Sequence, residues 1–326
     1  MTAAEEPRTG TFRKREPEAP GAVTFRKTLA IDIGGTFIKY GIVEEDGQIR
    51  SRSKAPTIEA KTGTEFFDYV AANIPSLEGV ELIGVSAPGL VDREFHVRSY
   101  AAPKLAALYD TNIAMEMEKR TGISTAAIND AKAAGLCELK MGRARGTKLS
   151  AYLIIGTGGG GCICLEDDVF AGADNFAGEF HFMAYHNEKT GEVMKTGRVI
   201  GMIGLVNRYN EKAPEDRQVT LGEEITKRAF AGEPLAKEMV DDWIHRIAVQ
   251  CLSIVVAVNP EILCIGGGIS EEDWFMDRVK AEYERISDEH FNHVRFLSTV
   301  IDRCQFRNDA NLLGAALKAN MVYGDL

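Results

Sequence analysis

Three clusters of glycine each fall where an apolar run ends, and that placement restricts the fold more than any other feature of the chain. Leu29 to Ile33 stops at Gly34-Gly35 and Thr36, and Lys39 to Val43 resumes the pattern. Leu149 to Ile155 stops at Gly156-Thr157-Gly158, with further glycines to Gly161 before Cys162 to Leu165. Ile262 to Ile265 runs into Gly266-Gly267-Gly268. Short apolar runs bounded by glycine read as buried strands joined by tight turns. A turn without side chains lets backbone N–H groups point at phosphate oxygens, and a Thr hydroxyl adds a donor. One such turn is weak evidence, since most hairpin glycines serve turn geometry alone. Three together are what a nucleotide gripped between two lobes requires: two turns for phosphates and one to approach the adenosine. None fits the GxxxxGK[ST] or GxGxxG spacing, which argues against P-loop and dinucleotide readings.

The intervening sequence supports a two-lobed α/β chain. Strands are expected at Leu29–Ile33, Lys39–Val43, Gln48–Ser53, Leu82–Val85, Ser124–Ile128, Leu149–Ile155, Cys162–Leu165 and Ile262–Ile265. Helices are expected at 64–74, 111–121, from Asp130 to about Met141, near 197–210 and 220–230, at 233–258 and near 271–286. At about 150 residues per domain, 326 residues make about two domains. Residues 1–27, charged and without periodicity, read as a disordered tail lacking the apolar core of a secretory signal. The expected division is 28–128 plus 309–326 for one lobe and 129–308 for the other. A net charge of −10 argues against nucleic acid as the main partner, though not against a nucleotide. No apolar segment is long enough to span a bilayer. The six cysteines sit mostly in apolar runs and read as reduced core thiols, consistent with the cytoplasm.

Three further features carry chemistry. Asp32 ends its strand, where a carboxylate can hold Mg²⁺ directly or through water. Asn129-Asp130 ends another strand with a helix behind it, which places a carboxylate at a cleft mouth. The competing role is helix capping, and Asn308-Asp309-Ala310 repeats the triplet with polar flanks and no leading strand, so capping is favoured there. Glu179 lies on a Gly-flanked loop (Ala177-Gly-Glu179-Phe-His181) and can accept hydrogen bonds from sugar hydroxyls, although most loop glutamates are merely solvated. Cys162 and Cys164 share one strand face and lack a second pair, so a zinc site there is not expected.

In combination these segments resemble the ROK family of sugar kinases and related repressors, in order, from about residue 28 to 320. Asp32-Ile-Gly-Gly-Thr36 with Lys39 resembles the first phosphate motif, and Gly156-Thr157-Gly158 with Gly160-Gly161 the second. Val85 to Gly89 with Asp92 resembles the sugar-side segment, Asn129-Asp130-Ala131 with Glu138 and Gly142 the catalytic segment, and Gly178-Glu179 the sugar-binding glutamate. Gly266-Gly267-Gly268 resembles the adenosine segment, and Ala310 to Ala316 the C-terminal helix signature. The resemblance implies an actin/hexokinase-like (ribonuclease H-like) ATPase fold with an interdomain cleft. It implies ATP and Mg²⁺, Asp130 as general base, Asn129, Glu179 and Gly89 on the sugar, and a homodimer.

The chain departs from that pattern at three places. Phe182 occupies the position of the family's sugar- and metal-binding His, and His181, one residue early, does not inherit its role. Residues 183–200 lack the CxCGxxGC zinc pattern, so no zinc is expected. Lys132 stands where Asn is usual and, two residues from Asp130 on a helix, is expected to face solvent or the substrate edge. These losses resemble the zinc-free branch that includes β-glucoside kinases and suggest room at the anomeric end of the pocket. The expected reaction is phosphorylation of a sugar hydroxyl, O6 of glucose, another hexose or a β-glucoside. The alternatives are a sugar-responsive regulator, for which the N-terminal tail is too short to hold a helix-turn-helix, and a non-catalytic sugar-binding protein.

Overall fold

In a computed structural model the chain is described over residues 23–100, 102–187, 190–291, 298–307 and 309–324. The first lobe opens with β1 (Thr28–Ile33), β2 (Phe37–Val43) and β3 (Ile49–Pro56), an antiparallel meander. Helix α1 (Gly63–Ala72) leads to β4 (Leu82–Ala87), and α2 (Ile113–Thr121) leads to β5 (Thr125–Asn129). The sheet order is β3-β2-β1-β4-β5, with β4 parallel to β1 and β5 parallel to β4. Every residue of β1, β4 and β5 is buried, as strands covered on both faces must be. Thr62 caps α1 through the Glu65 N–H, and Asn112 caps α2 through that of Met115.

The second lobe begins with α3 (Asp130–Met141), then β6 (Leu149–Ile155), β7 (Gly159–Leu165) and β8 (Asp168–Val169). A small hairpin, β9 (Ala184–His186) and β10 (Val193–Lys195), precedes α4 (Thr196–Ile200), α5 (Met202–Lys212) and α6 (Gly222–Phe230). Helix α7 (Pro234–Val258) starts with proline in its first turn and ends at Asn259, whose φ of 49° is left-handed. Strand β11 (Ile262–Gly266), α8 (Asp273–His290), β12 (Val300–Arg303) and α9 (Ala310–Tyr323) complete the chain. The second sheet has the order β12-β11-β6-β7-β8.

Helices α3 and α9 lie between the two sheets. Helix α9 packs on β1, β4 and β5, α3 packs on β6, β7 and β8, and the two helices pack on each other. A Cβ on Gly84 of β4 would collide with the Ala315 backbone of α9, and one on Gly314 of α9 with the Ala133 backbone of α3. The contacts are backbone on backbone, so no side chain can rotate away to make room.

Several expectations need correction. Phe25 is 2% exposed and its N–H bonds to the Glu45 carbonyl at 3.1 Å, so the chain is packed from at least this residue. The rest of the expected tail, residues 1–22, lies outside the described residues. Strand β7 starts at Gly159 instead of Cys162, and its glycines pair in register, Leu153 with Gly161 and Ile155 with Gly159. Glycine inside a strand marks a close approach, and a Cβ on Gly161 would strike the Phe180 ring. The helix expected near 197–210 is broken at Gly201 into α4 and α5, where the Met202 and Ile203 N–H groups bond to the Gly156 and Thr157 carbonyls. Among the described residues no helix is long and apolar enough to cross a membrane. Substituting Gly84→Ala is expected to lower unfolding free energy by about 1–3 kcal/mol, the cost of overpacking a contact that cannot relax. Urea unfolding would record this as a lower midpoint at constant m.

Candidate functional site

A cavity of about 570 Å³ opens between the lobes. Its walls include Gly89, Leu90, Ser99 and Tyr100 from the first lobe, and Asn129, Asp130, Gly156, Gly158, Glu179 and His181. A smaller cavity of about 180 Å³ holds Lys39, Gly266, Gly267, Gly268, Arg303 and Phe306. Ala134, Ile154 and Asn311 line both, so the two are neighbouring halves of one cleft. The sugar-side and adenosine-side residues inferred from sequence thus separate into the two halves. Asp32, Gly34, Gly35, Thr36 and Thr157 line neither cavity. Asp32 is nevertheless bonded to Lys39 and Asn311, which do.

The two glycine hairpins offer unpaired amides. Gly34 N–H bonds to the Phe37 carbonyl and Gly156 N–H to that of Gly158. The N–H groups of Gly35, Thr36, Thr157 and Gly158 have no protein acceptor among the described residues. The second turn is steadied from behind by α5, whose first N–H groups take its carbonyls. One donor set from each lobe is the arrangement a phosphate chain needs.

Asp130 opens α3. Its Oδ1 accepts from the Ala131 N–H at 2.8 Å and from Asn129 Nδ2 at 2.9 Å. Asn129 is the actual cap of the helix, accepting the Lys132 N–H at 3.1 Å, and its amide also donates to the Gly89 carbonyl at 2.9 Å. Capping therefore falls to Asn129, and Asp130 keeps an oxygen for the cavity. Asn129 has both amide hydrogens committed and retains one acceptor lone pair for a ligand. Burial pushes the Asp130 carboxyl up from 3.8 to about 6, and the Asp32 carboxylate adds to the rise. The Ala131 N–H and Asn129 amide act in the opposite direction.

Asp32 is 4% exposed, with Oδ2 bonded to Lys39 at 3.1 Å and Oδ1 to Ser86 at 3.2 Å and Asn311 at 3.0 Å. Asp309 does not cap α9. Its carboxylate forms an ion pair with Arg52 instead, and Asn308 of the same triplet lies outside the described residues. Lys132 departs furthest from expectation. It is 2% exposed, its Nζ lies 3.2 Å from Glu179 Oε1, and it donates to the Asn175 carbonyl. Burial raises the Glu179 carboxyl above its ordinary value, with Lys132 opposing the shift.

Sequence reasoning missed Tyr100, Ser99, Lys195 and Arg198 as cavity walls, and treated Asn311 only as a polar flank. Lys195 ends, and Arg198 follows, a hairpin of three-residue strands, too short for a periodic signal. Phe182 does face the cavity, and His181 beside it meets the Gly159 carbonyl at 3.0 Å. Burial, then the Lys195 and Arg198 cations, push the His181 imidazole below its ordinary value.

Comparison with known proteins gives a consistent result. The model of the ROK family matches residues 28–321. The chain is 28% identical to a β-glucoside kinase from Klebsiella pneumoniae over 91% of this chain and 97% of that protein. It is 27% identical to a glucokinase from Streptomyces coelicolor over 89% and 96%. The crystal structure of a ROK family glucokinase from Streptomyces griseus, in complex with glucose and AMPPNP, superposes with a TM-score of 0.71 at 23% identity, covering 90% of this chain and 99% of that one. The fold is the two-lobed actin/hexokinase-like ATPase fold.

The raised Asp130 carboxyl has a thermodynamic consequence. A carboxyl with a higher pKa folded than unfolded binds its proton more tightly in the folded state, so its contribution falls as pH rises from 3.8 to about 6. Above that window the folded chain carries the full penalty, about 2–3 kcal/mol at 1.36 kcal/mol per unit. Asp130→Asn is therefore expected to be more stable than the parent at pH 8, with the gain shrinking toward pH 4, as read by urea unfolding across that range.

Proposed function

The chain belongs to the ROK family, and we propose that it transfers the γ-phosphoryl group of ATP to a sugar hydroxyl, O6 of a hexose or a hexose-bearing glycoside, with Asp130 as general base. The observation that carries this reading is the position of Asp130. Its carboxylate, with one oxygen pinned by two donors, lines the same chamber as a glycine turn in which the Thr157 and Gly158 amides have no protein acceptor among the described residues. A carboxyl near 6 is mostly ionised at neutral pH yet basic enough to accept a proton, and base catalysis contributes on the order of 10²–10⁴-fold. The names of the relatives, β-glucoside kinase and glucokinase, favour a hexose or hexoside as acceptor.

In this reading Asp130 accepts the hydroxyl proton as the sugar oxygen attacks the γ-phosphorus, and ADP departs. Glu179, with the remaining lone pair of Asn129, accepts hydrogen bonds from other sugar hydroxyls and aligns the attacking oxygen. The amides of Gly35, Thr36, Thr157 and Gly158 receive phosphate oxygens, and Gly266 to Gly268 with Lys39 border the nucleotide. The residues fit Mg²⁺ held chiefly by the phosphates. Both Asp32 oxygens already have protein partners, so Asp32 would meet the ion through its water shell, as suits a cation that dehydrates reluctantly. When bound, the ion offsets charge on the phosphoryl oxygens. A homodimer belongs to this reading on the family resemblance alone, and a cytoplasmic location on the reading of the six cysteines as reduced thiols.

A coupled assay for ADP across glucose, cellobiose, N-acetylmannosamine and fructose tests the proposal. Sugar-dependent ADP release is expected for at least one hexose or glucoside, with kcat/KM falling below about pH 6 as Asp130 protonates. Asp130→Asn is expected to remove turnover and leave ATP binding nearly intact, and retained kcat in that variant would take the base role from Asp130.

A further inference from the structure

Lys132 sits on the first turn of α3, two residues beyond Asp130, and lines neither cavity. Only 2% of it is exposed, and an ammonium at that depth is tolerated only when paired. Its partner is Glu179, 3.2 Å away, whose side chain is 9% exposed and lines the larger cavity. Glu179 Oε1 has this cation beside it but no well-directed hydrogen bond among the described residues. That oxygen is buried against the ammonium, and Oε2, with no protein partner among the described residues, is the one left for a ligand in the cavity. Lys132 also donates to the Asn175 carbonyl, and Asn175 donates through its own amide to the Val91 carbonyl of the first lobe. The ammonium therefore ties together α3, the loop bearing Glu179 and, through Asn175, the opposite lobe.

We propose that Lys132 is a positioning residue for the acceptor sugar: its buried ammonium fixes the Glu179 carboxylate in place and in charge, so that its free lone pairs receive sugar hydroxyls. This rests on the kinase reading above. Lys132 touches neither substrate and acts through Glu179. The groups facing Glu179 make the need plain. Asp130 and Lys132 approach from α3, Cys162 from β7, and His181, Lys195 and Arg198 share the cavity. Without Lys132, Glu179 would face the Asp130 carboxylate with no cation at its buried oxygen.

A double-mutant cycle separates this role from a structural one. Parent, Lys132→Met, Glu179→Gln and the double variant are compared for acceptor KM, ATP KM and kcat, using whichever of glucose, cellobiose, N-acetylmannosamine and fructose the parent turns over fastest. Lys132→Met is expected to raise acceptor KM about tenfold or more, the worth of a hydrogen bond to a charged group. ATP KM should move by less than about twofold, and the double variant should match Glu179→Gln to about the same margin, because a residue acting only through Glu179 adds nothing once the charge is gone. An unchanged acceptor KM in Lys132→Met overturns the proposal, as does a rise of equal size in the Glu179→Gln background. Glu179→Gln with the parent's acceptor KM would instead remove Glu179 from the sugar site, a failure of the underlying reading. Should Lys132→Met not fold, Lys132→Gln, which keeps a donor for Asn175 but no charge, serves with the same expectations. Calorimetric titration of the same proteins with glucose and cellobiose decides the matter if turnover is lost.

Discussion

Contact between bare backbones sets the spacing on which the rest of this molecule depends. Gly84 lets β4 approach the Ala315 backbone of α9, and Gly314 lets α9 approach the Ala133 backbone of α3, while Gly135 of α3 meets the side chains of Cys162 and Tyr152. The first two contacts run in series from the first sheet to α3, so that spacing is fixed by main-chain thickness, and the last step to the second sheet is glycine against side chains. Side-chain packing alone would leave slack, because rotamers can shift by fractions of an ångström. Both inner helices begin at the cleft: Asp130 is the first residue of α3, and Asn311 lies in the first turn of α9. The position of the cavity carboxylate follows from the thickness of the core behind it.

Three carboxylates converge on the cleft, and their partners differ in a way that separates their roles. Asp32 has Lys39, Ser86 and Asn311, and Glu179 has Lys132. Asp130 has the Ala131 amide, its own backbone amide and the Asn129 side chain, with no cation paired to it among the described residues. A buried carboxyl held by neutral donors, with a second carboxylate nearby, is pushed upward. Of the two carboxyls that line the cavity, Glu179 has a counter-charge beside it and Asp130 has none among the described residues.

Much of the frame was legible in the sequence because its signals are local. An apolar run ending in glycine identified β1, β6 and β11 and the turns after them, and the triplet Asn129-Asp130-Ala131 marked the start of α3. Legibility failed where packing from both sides overrides a one-sided pattern. Residues 131 to 139 of α3 are all buried, so the rule that charged helix residues face water gave the wrong environment for Lys132. Asp309 failed for a related reason. A capping residue and an ion-pair partner look alike in sequence, and only Arg52, 257 positions away, decides between them. Asn311, Lys195 and Arg198 reach the cavity through tertiary contacts that no local spacing encodes.

The two cavity carboxylates, Asp130 and Glu179, are also held with unequal rigidity. Asp130 stands on α3, whose place against α9 is fixed by main-chain contact. Glu179 follows a loop that belongs by sequence to the second lobe yet is fastened to the first, through Asn175 to the Val91 carbonyl and through the Gly172 carbonyl to Arg93 at 3.1 Å. The same stretch of the first lobe holds Asn129 through Gly89. Residues 89 to 93 therefore touch the supports of both carboxylates, through one hydrogen bond to Asn129 and two to the loop before Glu179. Parting the lobes at this point would break the bonds behind the Glu179 loop without disturbing the glycine contacts between α3 and α9, so the Glu179 side of the cleft yields before the Asp130 side.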